Sequence, residues 1–318
     1  MKTIFLRPAE PIRDFRQLAT WFSSLEDEPT TETGLIKDFE KDKERIIQKV
    51  AEDEAGELLG FYWASRSKVI ESQFYFYLFV KPEQRGQGIG RQLYQDLIRL
   101  SSGVQAKALR VNVSDSCPPC RTFAERRGFT EQRHQIPMAL NLGAFDDKPY
   151  EEIINRLKSE GFRFTSMEEM GNTDEVQRKL YVLNDTASSE TPGAEGERTW
   201  NSFEDFQQSV CHSNWYKPGG QKVVIDTMNG IWAAMSAITR FEGTNYAYNL
   251  FTGVDRLYRG RKLAQAVKVL ALRYARDVFQ VNAVRTHHNT KNLPMIAIDL
   301  KLGYTMLPGT FLMEKIIG

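Results

Sequence analysis

Apolar and polar positions alternate along the chain with two distinct periods. An early amphipathic helix is predicted by apolar residues at helical spacing, namely Ile12, Phe15, Leu18, Ala19 and Phe22. The stretch from Gly56 to Val80, GELLGFYWASRSKVIESQFYFYLFV, predicts two aromatic-rich strands joined by a turn. Its run FYFYLF is typical of a strand in a protein core. A second helix is predicted by the spacing of Leu93, Leu97 and Leu100.

A similar succession of elements returns in the second half of the chain. The stretch QKVVIDTMNGIWAAMSAI, from Gln221, predicts a hairpin with Asn229 and Gly230 at its turn. NYAYNLFTGV follows as a further strand. A helix, a strand and a second helix come next, and that second helix ends at Gly303, as the corresponding helix of the first half ends at Gly128.

Two pairs of segments indicate an internal repeat. LFVKPEQRGQGIGRQL, from Leu78, matches TGVDRLYRGRKLAQAV, from Thr252, so that Arg85 meets Arg259. ALRVNVSDSCPPCRTFAERRGF and AVRTHHNTKNLPMIAIDLKLGY match with one extra residue in the second copy, so that Gly128 meets Gly303. Because both motifs recur in the same order at nearly the same separation, we predict two homologous domains.

The division between the two copies is placed at the segment LNLGAFDDKPY. We therefore predict a first domain over residues 1–143 and a second over residues 144–318. Within the second domain, residues 186–199 are polar and rich in Gly, Pro, Ser and Glu, which indicates a solvated loop.

Composition and charge narrow the class of protein. The 318 residues have a net charge of +1, which gives no basis for nucleic-acid binding. Three cysteines are too few for a secreted disulfide framework. The N-terminal residues lack the apolar core of a signal peptide, and no apolar run is long enough to span a membrane. A cytoplasmic protein without a membrane partner is expected.

A glycine-rich loop between a predicted strand and a predicted helix is suited to a phosphate group. In the loop Arg85–Gly90, RGQGIG, several backbone N–H groups would converge at the positive end of the helix. Glycine allows close approach of the ligand and positive φ. No Gly-Lys-Ser/Thr follows, which excludes a nucleoside-triphosphate loop, and the glycine spacing differs from the dinucleotide pattern G-x-G-x-x-G.

The loop VKPEQRGQGIGRQL resembles the acetyl-CoA loop of the GNAT superfamily of N-acyltransferases, whose pattern is R/Q-x-x-G-x-G/A. Arg85, Gly88 and Gly90 match it, and CRTFAERRGF resembles the family's later helix. The resemblance covers both copies. It implies an α+β fold of two tandem GNAT-like domains, each a mixed, mostly antiparallel sheet flanked by helices. It also implies acetyl-CoA as acyl donor, no metal, and a small-molecule or peptide amine as acceptor.

The resemblance also implies a set of cofactor-binding residues. The family holds acyl-CoA in a gap between its fourth and fifth strands, with the end of the fourth strand on the pantetheine arm and the loop on the pyrophosphate. In the first copy these positions are Leu78, Val80, Arg85, Gly86, Gln87, Gly88, Ile89 and Gly90. In the second copy they are Thr252, Val254, Arg259, Gly260, Arg261, Lys262, Leu263, Ala264 and Asn292.

Both copies depart from the family pattern. Lys262 stands where the first copy has Gly88, so its Cβ would crowd a phosphate while its ammonium would attract one. Many members of the family have an Asn after the fifth strand and a Tyr general acid four residues before the final Gly. The second copy has Asn292 but Asp299 at those positions, and the first copy has Cys117 and Ala124.

The transfer reaction needs a group that removes the proton of the attacking amine. Glu71 and Glu242 precede the two fourth strands and are candidates for that catalytic role. Further carboxylates lie at Glu26, Asp27 and Glu28. A tyrosine acid could come from Tyr246, Tyr248 or Tyr304, although each also suits core packing. His287 and His288 occupy one strand and point in opposite directions.

Two other functions stay open. The missing Tyr in both copies is compatible with a non-catalytic acyl-CoA-binding or regulatory protein. The stretch Cys117-Pro118-Pro119-Cys120 also fits the redox motif of a thioredoxin-like oxidoreductase. No other Cys or His group has zinc spacing relative to these cysteines. Because the second copy reads Asn-Leu-Pro-Met at the same place, we favour a structural helix start, capped by Ser114, Asp115 or Ser116.

Overall fold

A computed structural model describes residues 3–25, 30–67, 70–193 and 200–317. The carboxylates Glu26, Asp27 and Glu28 lie outside the described residues. The first repeat contributes β1 (Phe5–Arg7), α1 (Pro11–Ser23), α2 (Glu32–Asp42), β2 (Ile46–Glu52), β3 (Leu58–Arg66), β4 (Gln73–Val80), α3 (Ile89–Gly103), β5 (Ala108–Ser114), α4 (Pro118–Glu125) and β6 (Thr130–Asn141).

The second repeat follows the same order, with an additional helix at its start and an additional short strand near its end. It contributes α5 (Glu151–Ser159), β7 (Phe162–Ser166), α6 (Asp174–Ser189), α7 (Phe203–Phe206), β8 (Gln221–Asp226), β9 (Ile231–Thr239), β10 (Ala247–Val254), α8 (Leu263–Asp277), β11 (Ala283–Asn289), α9 (Leu293–Lys301), β12 (Thr305–Met306) and β13 (Thr310–Ile316). The fourth and fifth strands of the two copies are therefore β4 and β5, and β10 and β11.

The chain forms two compact units, which we call unit 1 and unit 2. Unit 1 comprises the chain up to Arg133 together with the residues from Thr310 on, and unit 2 comprises His134–Gly309. The sheet of unit 1 has the strand order β1–β2–β3–β4–β5–β13. β13 pairs antiparallel with β5 over seven residue pairs, from Thr310↔Ser114 to Ile316↔Ala108. Only the pair β4–β5 is parallel among the described strands of this sheet.

The sheet of unit 2 has the order β6–β11–β10–β9–β8–β7, and β12 also pairs with β6. β6 runs antiparallel to β11, from Ala283↔Asn141 to Asn289↔Gln135. The pair β10–β11 is parallel, and the other described pairs of this sheet are antiparallel. The predicted α+β class, with a mixed and mostly antiparallel sheet flanked by helices in each half, is confirmed.

The compact units differ from the contiguous segments 1–143 and 144–318. The repeat in the sequence describes how the chain is built, whereas compactness follows strand pairing. β6 belongs by sequence to the first copy but pairs within unit 2, and β13 belongs to the second copy but pairs within unit 1. The boundary between units consequently falls at Arg133, ten residues before the one at 143.

The predicted amphipathic helix is α1, with one correction. Phe15, Leu18 and Phe22 are buried as expected, but Ile12 is 98% exposed. Ile12 lies at the edge of the apolar stripe, roughly 80° from its centre at 100° per residue. At the opposite edge Asp14 is buried instead, where it accepts hydrogen bonds from Arg7 at 2.6 and 2.8 Å.

The predicted loop over residues 186–199 is shorter than expected. α6 continues to Ser189, because Leu180, Leu183 and Ala187 keep its buried face in register with the core of unit 2. Residues 194–199 lie outside the described part of the chain.

The start of α4 combines both readings of the Cys-Pro-Pro-Cys stretch. Pro118 and Pro119 occupy the first turn as predicted, but the N-cap is Cys117 rather than Ser114, Asp115 or Ser116. Ser114 instead ends β5, and its hydroxyl contacts that of Ser116. Cys117 and Cys120 are joined by a disulfide with a Cα–Cα distance of 5.3 Å. The structural helix start is therefore present, and so is an oxidised cysteine pair.

Candidate functional site

Each unit contains a parallel strand pair that separates along its length. β4 pairs with β5 only at Gln73↔Ala108, Phe74↔Leu109 and Tyr75↔Arg110, although β4 runs on to Val80. β10 pairs with β11 only at Ala247↔Val284 and Tyr248↔Arg285, although β10 runs on to Val254. Both units therefore open a gap between the fourth and fifth strands, toward the loop that follows the fourth strand.

The loop behind each gap ends in a left-handed residue at the start of a helix. Gly86 and Gly88 have φ of +80° and +86°, and Gly88 is the N-cap of α3. In unit 2 the N-cap of α8 is Lys262, with φ of 68°. The two loops thus have the same turn, although a lysine is strained in the conformation that glycine adopts readily.

An arginine fixes each loop to the end of its strand. Arg85 Nε donates to the carbonyl oxygen of Val80 at 3.1 Å, and Arg259 Nε donates to that of Val254 at 3.2 Å. Arg259 also forms an ion pair with Glu190 at 2.5 Å. The arginine shared by the two motifs therefore holds the turn in place through its side chain.

The predicted cofactor-binding positions lie where these loops and strands meet. Val80 and Val254 end their strands, Leu78 and Thr252 lie two residues earlier, and Ile89 and Leu263 begin the helices. The first N–H groups of an α helix have no acceptor inside the helix and carry a partial positive charge. Each loop therefore presents donors suited to an anion beside the mouth of the gap.

The two residues that start the following helix differ between units. Asn292 is the N-cap of α9, and its Oδ1 accepts from the N–H of Met295 at 3.4 Å. Cys117 is the N-cap of α4 without a side-chain cap, and its sulfur is in the disulfide. The structure thus gives Asn292 a structural contact in addition to the predicted contact with a cofactor.

A buried cluster of ionisable side chains lies behind the gap of unit 2. Lys268 of α8 and Asp299 of α9 form an ion pair with Nζ and Oδ1 2.6 Å apart, and their side chains are 1% and 0% exposed. On β11, His288 places Nε2 2.6 Å from the other Asp299 oxygen, Oδ2. The aromatic ring of buried Tyr304 lies 5.5 Å from Lys268 Nζ.

The charges in this cluster depend on one another. Burial acts to raise the pKa of the Asp299 carboxyl, but the charge of Lys268 and the hydrogen bond to His288 outweigh it and lower that pKa. Burial lowers the pKa of the Lys268 ammonium, against the opposing attraction of Asp299. Burial and the negative charge of Asp299 raise the pKa of Tyr304. The ion pair with Lys268 and the hydrogen bond with His288 therefore favour the ionised form of the Asp299 carboxyl.

The matched residues of unit 1 carry no charge, although the Nζ of Lys315 donates to the Tyr94 hydroxyl at 3.0 Å. The residues matched to Lys268, His288, Asp299 and Tyr304 are Tyr94, Val113, Ala124 and Phe129, and all four belong to one hydrophobic cluster. Asp299 and His288 were noted from the sequence, but Lys268 was not. The sequence does contain a sign of Lys268, since it is a charged residue on the face of α8 that the apolar pattern assigns to the core.

The two glutamates that we predicted as proton acceptors lie away from the gaps. Glu71 and Glu242 are exposed in the turns before β4 and β10. The gaps open at the opposite ends of these strands, and eight residues of strand span about 26 Å. Neither glutamate is therefore close to the loop that follows its strand.

The three tyrosines proposed as acids have different settings. Tyr304 is buried, and its hydroxyl has no hydrogen-bond partner among the described residues. Tyr248 contacts Nδ1 of His287 through its hydroxyl at 2.5 Å. The guanidinium of Arg285 lies 4.2 Å from the centre of the Tyr246 ring. Core packing accounts for Tyr304, as expected, while the other two engage residues of β11.

A pocket of about 420 Å³ lies in unit 1 on the α1–α2 side of the sheet. Trp63 and Tyr77 form part of its wall, and Asp38, Arg45 and Arg66 bring charges of both signs.

In the described part of the chain, no group of three or more His, Cys, Asp or Glu side chains is placed to hold a metal ion. No described helix has the length and apolar character needed to cross a bilayer.

Comparison with known sequences assigns the first gap and loop to a family. Residues 43–131 match the model of an acetyltransferase (GNAT) domain. This range includes β2 to α4, and so both strands of the gap and the glycine-rich loop. Comparison with curated proteins found no match to the chain.

Solved structures resemble the chain over its whole length. A GCN5-related N-acetyltransferase from Sphaerobacter thermophilus has a TM-score of 0.71 at 18% identity, covering 99% of this chain and 96% of that one. A tandem GNAT protein from the clavulanic acid biosynthesis pathway has a TM-score of 0.64 at 17% identity, with 99% of both chains covered.

A third structure is longer than this chain. It is described as a glucosamine N-acetyltransferase region of a fungal multi-domain β-N-acetylglucosaminidase, with a TM-score of 0.69 at 14% identity. It covers 99% of this chain, but the chain spans only 38% of its length. At these identities the likeness establishes the fold. Residues 43–131 therefore match the GNAT acetyltransferase domain model, within a chain that shares the fold of these structures from end to end.

Proposed function

We propose that the protein transfers an acetyl group from acetyl-CoA to a primary amine. The observation that carries this proposal is the parallel strand pair that opens toward a helix-start loop, present in both units. A gap of this kind admits an extended thioester arm between two strand edges. The loop beside it offers N–H donors to the pyrophosphate of the same molecule.

The cofactor-binding set follows from this placement. The amides of Arg85 to Gly90 hold the pyrophosphate in unit 1, and the backbone of Leu78 and Val80 contacts the pantetheine arm. The amides of Arg259 to Ala264, with Thr252 and Val254, have these roles in unit 2. Lys262 adds a positive charge at the helix start, which favours an anion.

The reaction proceeds without a covalent enzyme intermediate. The neutral amine attacks the thioester carbonyl carbon, a C–N bond forms, and the C–S bond breaks with its electron pair on sulfur. The nitrogen loses one proton and the thiolate gains one. The enzyme must therefore orient the two reactants and provide a route for that proton.

Two observations favour unit 2 as the place of chemistry. β10 has a register shift between Asn249 and Phe251 where it pairs with β9, and this leaves Leu250 out of the register beside the gap. β4 pairs with β3 without interruption, from Gly60↔Val80 to Arg66↔Phe74. Bulges are frequent beside active sites because they redirect backbone and side-chain groups. The buried ionisable cluster is the second observation.

The binding step is tested by adding bulk to the matched left-handed residues. Gly88→Trp and Lys262→Trp should each weaken acetyl-CoA binding in their own unit, measured by isothermal titration calorimetry. Gly88→Ala and Lys262→Ala are the matched controls, since they have the Cβ of the tryptophan variants at the same φ without the bulk. If neither tryptophan variant changes the affinity or the number of sites, the loop assignment is wrong for both units.

A non-catalytic role is a second candidate function, and the apolar cluster of unit 1 favours it for that unit. The matched side chains carry no charge, and a charged neighbour at this place is Lys315, whose Nζ donates to the Tyr94 hydroxyl at 3.0 Å. These side chains are Tyr94, Val113, Ala124 and Phe129. Unit 1 would then bind acetyl-CoA without transferring the acetyl group.

A panel of primary amines separates the two functions. Glucosamine heads the panel because a protein of the same fold is described as acting on it. Release of free thiol from acetyl-CoA, dependent on one amine, supports acetyl transfer. A rise in melting temperature with acetyl-CoA, without thiol release for any amine, supports the binding role.

A further inference from the structure

The Lys268–Asp299–His288 cluster has no structural necessity. Removing charges from water is expensive, and apolar residues of similar volume often stabilise a fold as well as a buried ion pair does. Unit 1 has such residues at the matched positions, with Val113, Ala124 and Phe129 at 6%, 5% and 4% exposure. The scaffold therefore does not require the charges that unit 2 contains.

The cluster has one member that reaches the surface. The side chain of His288 is 9% exposed, whereas those of Asp299 and Lys268 are 0% and 1% exposed. The imidazole is thus placed between a buried ion pair and the exterior.

His288 also lies where β10 and β11 have separated. The last described pair of these strands is Tyr248↔Arg285, three residues before His288. The other edge of β11 is occupied, since His288 is opposite Ile136 of β6. The free edge of β11 beside His288 is therefore the edge of the gap.

The hydrogen bond to Asp299 assigns the two ring nitrogens. Because the carboxylate of Asp299 is paired with the Lys268 ammonium, it accepts, and Nε2 of His288 carries the donated proton. In a neutral imidazole Nδ1 is then an acceptor. Lys268 offsets the charge of Asp299, so the pair orients the imidazole without an unpaired negative charge beside it.

We propose that His288 is the catalytic proton-transfer residue of unit 2, with Asp299 and Lys268 as positioning residues. This inference rests on the proposed acetyl transfer and assigns its proton route. Nδ1 accepts the proton that the nitrogen loses as the C–N bond forms. The resulting imidazolium gives that proton to the thiolate as the C–S bond breaks, and His288 returns to its neutral form.

Several charged and titratable groups face His288 from the elements packed around it. Asp299 of α9 contacts it, and Lys268 of α8 acts through Asp299. Tyr304 lies near Lys268, and the strand register places His134 of β6 diagonally opposite on the same face. On β11 itself, Arg285 and His287 point to the other face of the sheet.

Nuclear magnetic resonance of ¹⁵N-histidine-labelled protein tests the assignment without an amine. The His288 signals are identified by their loss in His288→Gln. We expect the proton of the neutral ring on Nε2, and a shift of the Nδ1 resonance on addition of acetyl-CoA. A proton on Nδ1, or His288 signals unchanged by acetyl-CoA that calorimetry shows to be bound, overturns the inference. Failure of acetyl-CoA to bind instead overturns the proposed function.

Kinetics provides the second test, with the amine that gives the fastest thiol release. His288→Gln should lower kcat by at least about 100-fold, since it can donate to Asp299 but cannot accept a proton. The acetyl-CoA dissociation constant should stay unchanged, and the acid limb of the kcat–pH profile should disappear. His212→Gln, an exposed histidine elsewhere in unit 2, is the control.

Two further variants distinguish positioning from folding. Asp299→Asn should lower kcat and move the acid limb while the protein still binds acetyl-CoA. Added imidazole should restore part of the kcat of His288→Ala. If His288→Gln keeps the wild-type kcat while amine-dependent turnover continues, the inference is wrong and the proposed function stands.

Discussion

At four matched positions, unit 1 has Tyr94, Val113, Ala124 and Phe129, and unit 2 has Lys268, His288, Asp299 and Tyr304. The surrounding elements are the same, because the helix after the loop, the fifth strand, the next helix and the turn that follows it supply them in both units. The comparison shows that one scaffold accommodates an apolar cluster or an ionised one at the same place. The ionised residues therefore need an explanation other than the fold.

In the helix-start loops the two units share an unusual backbone conformation but have different residues in it. Their backbone conformation is the same, with φ of +86° at Gly88 and 68° at Lys262, but their chemistry differs. Here unit 2 keeps a conformation that glycine favours while replacing the glycine. Conserved geometry with changed side chains indicates that the turn itself is needed, since an anion site at a helix start depends on backbone donors.

Removal of the residues from Thr310 on should give the largest difference between the units in protection from hydrogen exchange. Unit 1 loses β13 and with it seven residue pairs to β5, whereas the strands β7 to β11 keep their partners. We expect the amides of β5 to lose their slow hydrogen exchange, measured by mass spectrometry, while those of β9 keep theirs.

The control for this truncation is Ile316→Ala in the intact chain, because the Ile316 side chain is 65% exposed. Retained protection of β5 in the truncated chain would show that unit 1 does not depend on β13.

Substitution of Lys268 by Met should destabilise unit 2 by about 3–5 kcal/mol, because it leaves the buried Asp299 carboxylate without its ion-pair partner. The double variant Lys268→Met/Asp299→Leu should recover most of this loss, since it converts the cluster toward the apolar form of unit 1. The free energy of unfolding from urea titrations measures both.

Tyr94→Met is the matched control in unit 1, where the residue has no ion-pair partner and the change should be smaller. A Lys268→Met protein as stable as the wild type would mean that the ion pair contributes nothing to the fold.

Substitution of the two left-handed residues should change the free energy of unfolding in opposite directions in the two units. Lys262→Gly should stabilise unit 2 by about 1 kcal/mol, because it relieves a left-handed conformation in a side-chain-bearing residue. Gly88→Ala should destabilise unit 1 by about as much, although its added Cβ meets no atom within 4 Å. Thermal unfolding followed by circular dichroism measures both, and equal signs would contradict the shared turn geometry.

Loss of the side-chain cap of α9 should have the smallest effect on the free energy of unfolding. Asn292→Ala should cost about 1 kcal/mol, because it removes the acceptor for the Met295 N–H. Asn292→Asp should leave the free energy of unfolding unchanged, since aspartate caps equally well. If Asn292→Asp keeps stability but weakens acetyl-CoA binding, Asn292 also contacts the cofactor, and the comparison with Cys117 becomes functional.

The sequence was most informative where structure is local. Strand β4, helix α3 and the hairpin at Asn229 and Gly230 follow from hydrophobic period and turn chemistry, and the repeat aligns Lys262 with Gly88 correctly. The disulfide between Cys117 and Cys120 was an open alternative, because a Cys-x-x-C stretch at a helix start is compatible with either state.

Features that depend on distant residues were not predictable. Lys268, His288 and Asp299 come from three elements, and their hydrogen bonds depend on how those elements pack. Ile12 fits the helical pattern but lies at the edge of the buried stripe, so a small rotation of α1 decides its exposure. The residues of β5 do not themselves indicate which strand pairs with its edge, so this partner could not be predicted.

The pairing of β13 with β5 has a consequence for synthesis on the ribosome. β5 ends at Ser114, but its partner begins at Thr310, so translation must pass through nearly the whole second copy before this edge can close. Until then the growing chain carries an unpaired strand edge of the kind that invites association with other chains. The first copy, although made first, completes its sheet last, and any ribosome that stalls within the second copy holds a chain with that edge open.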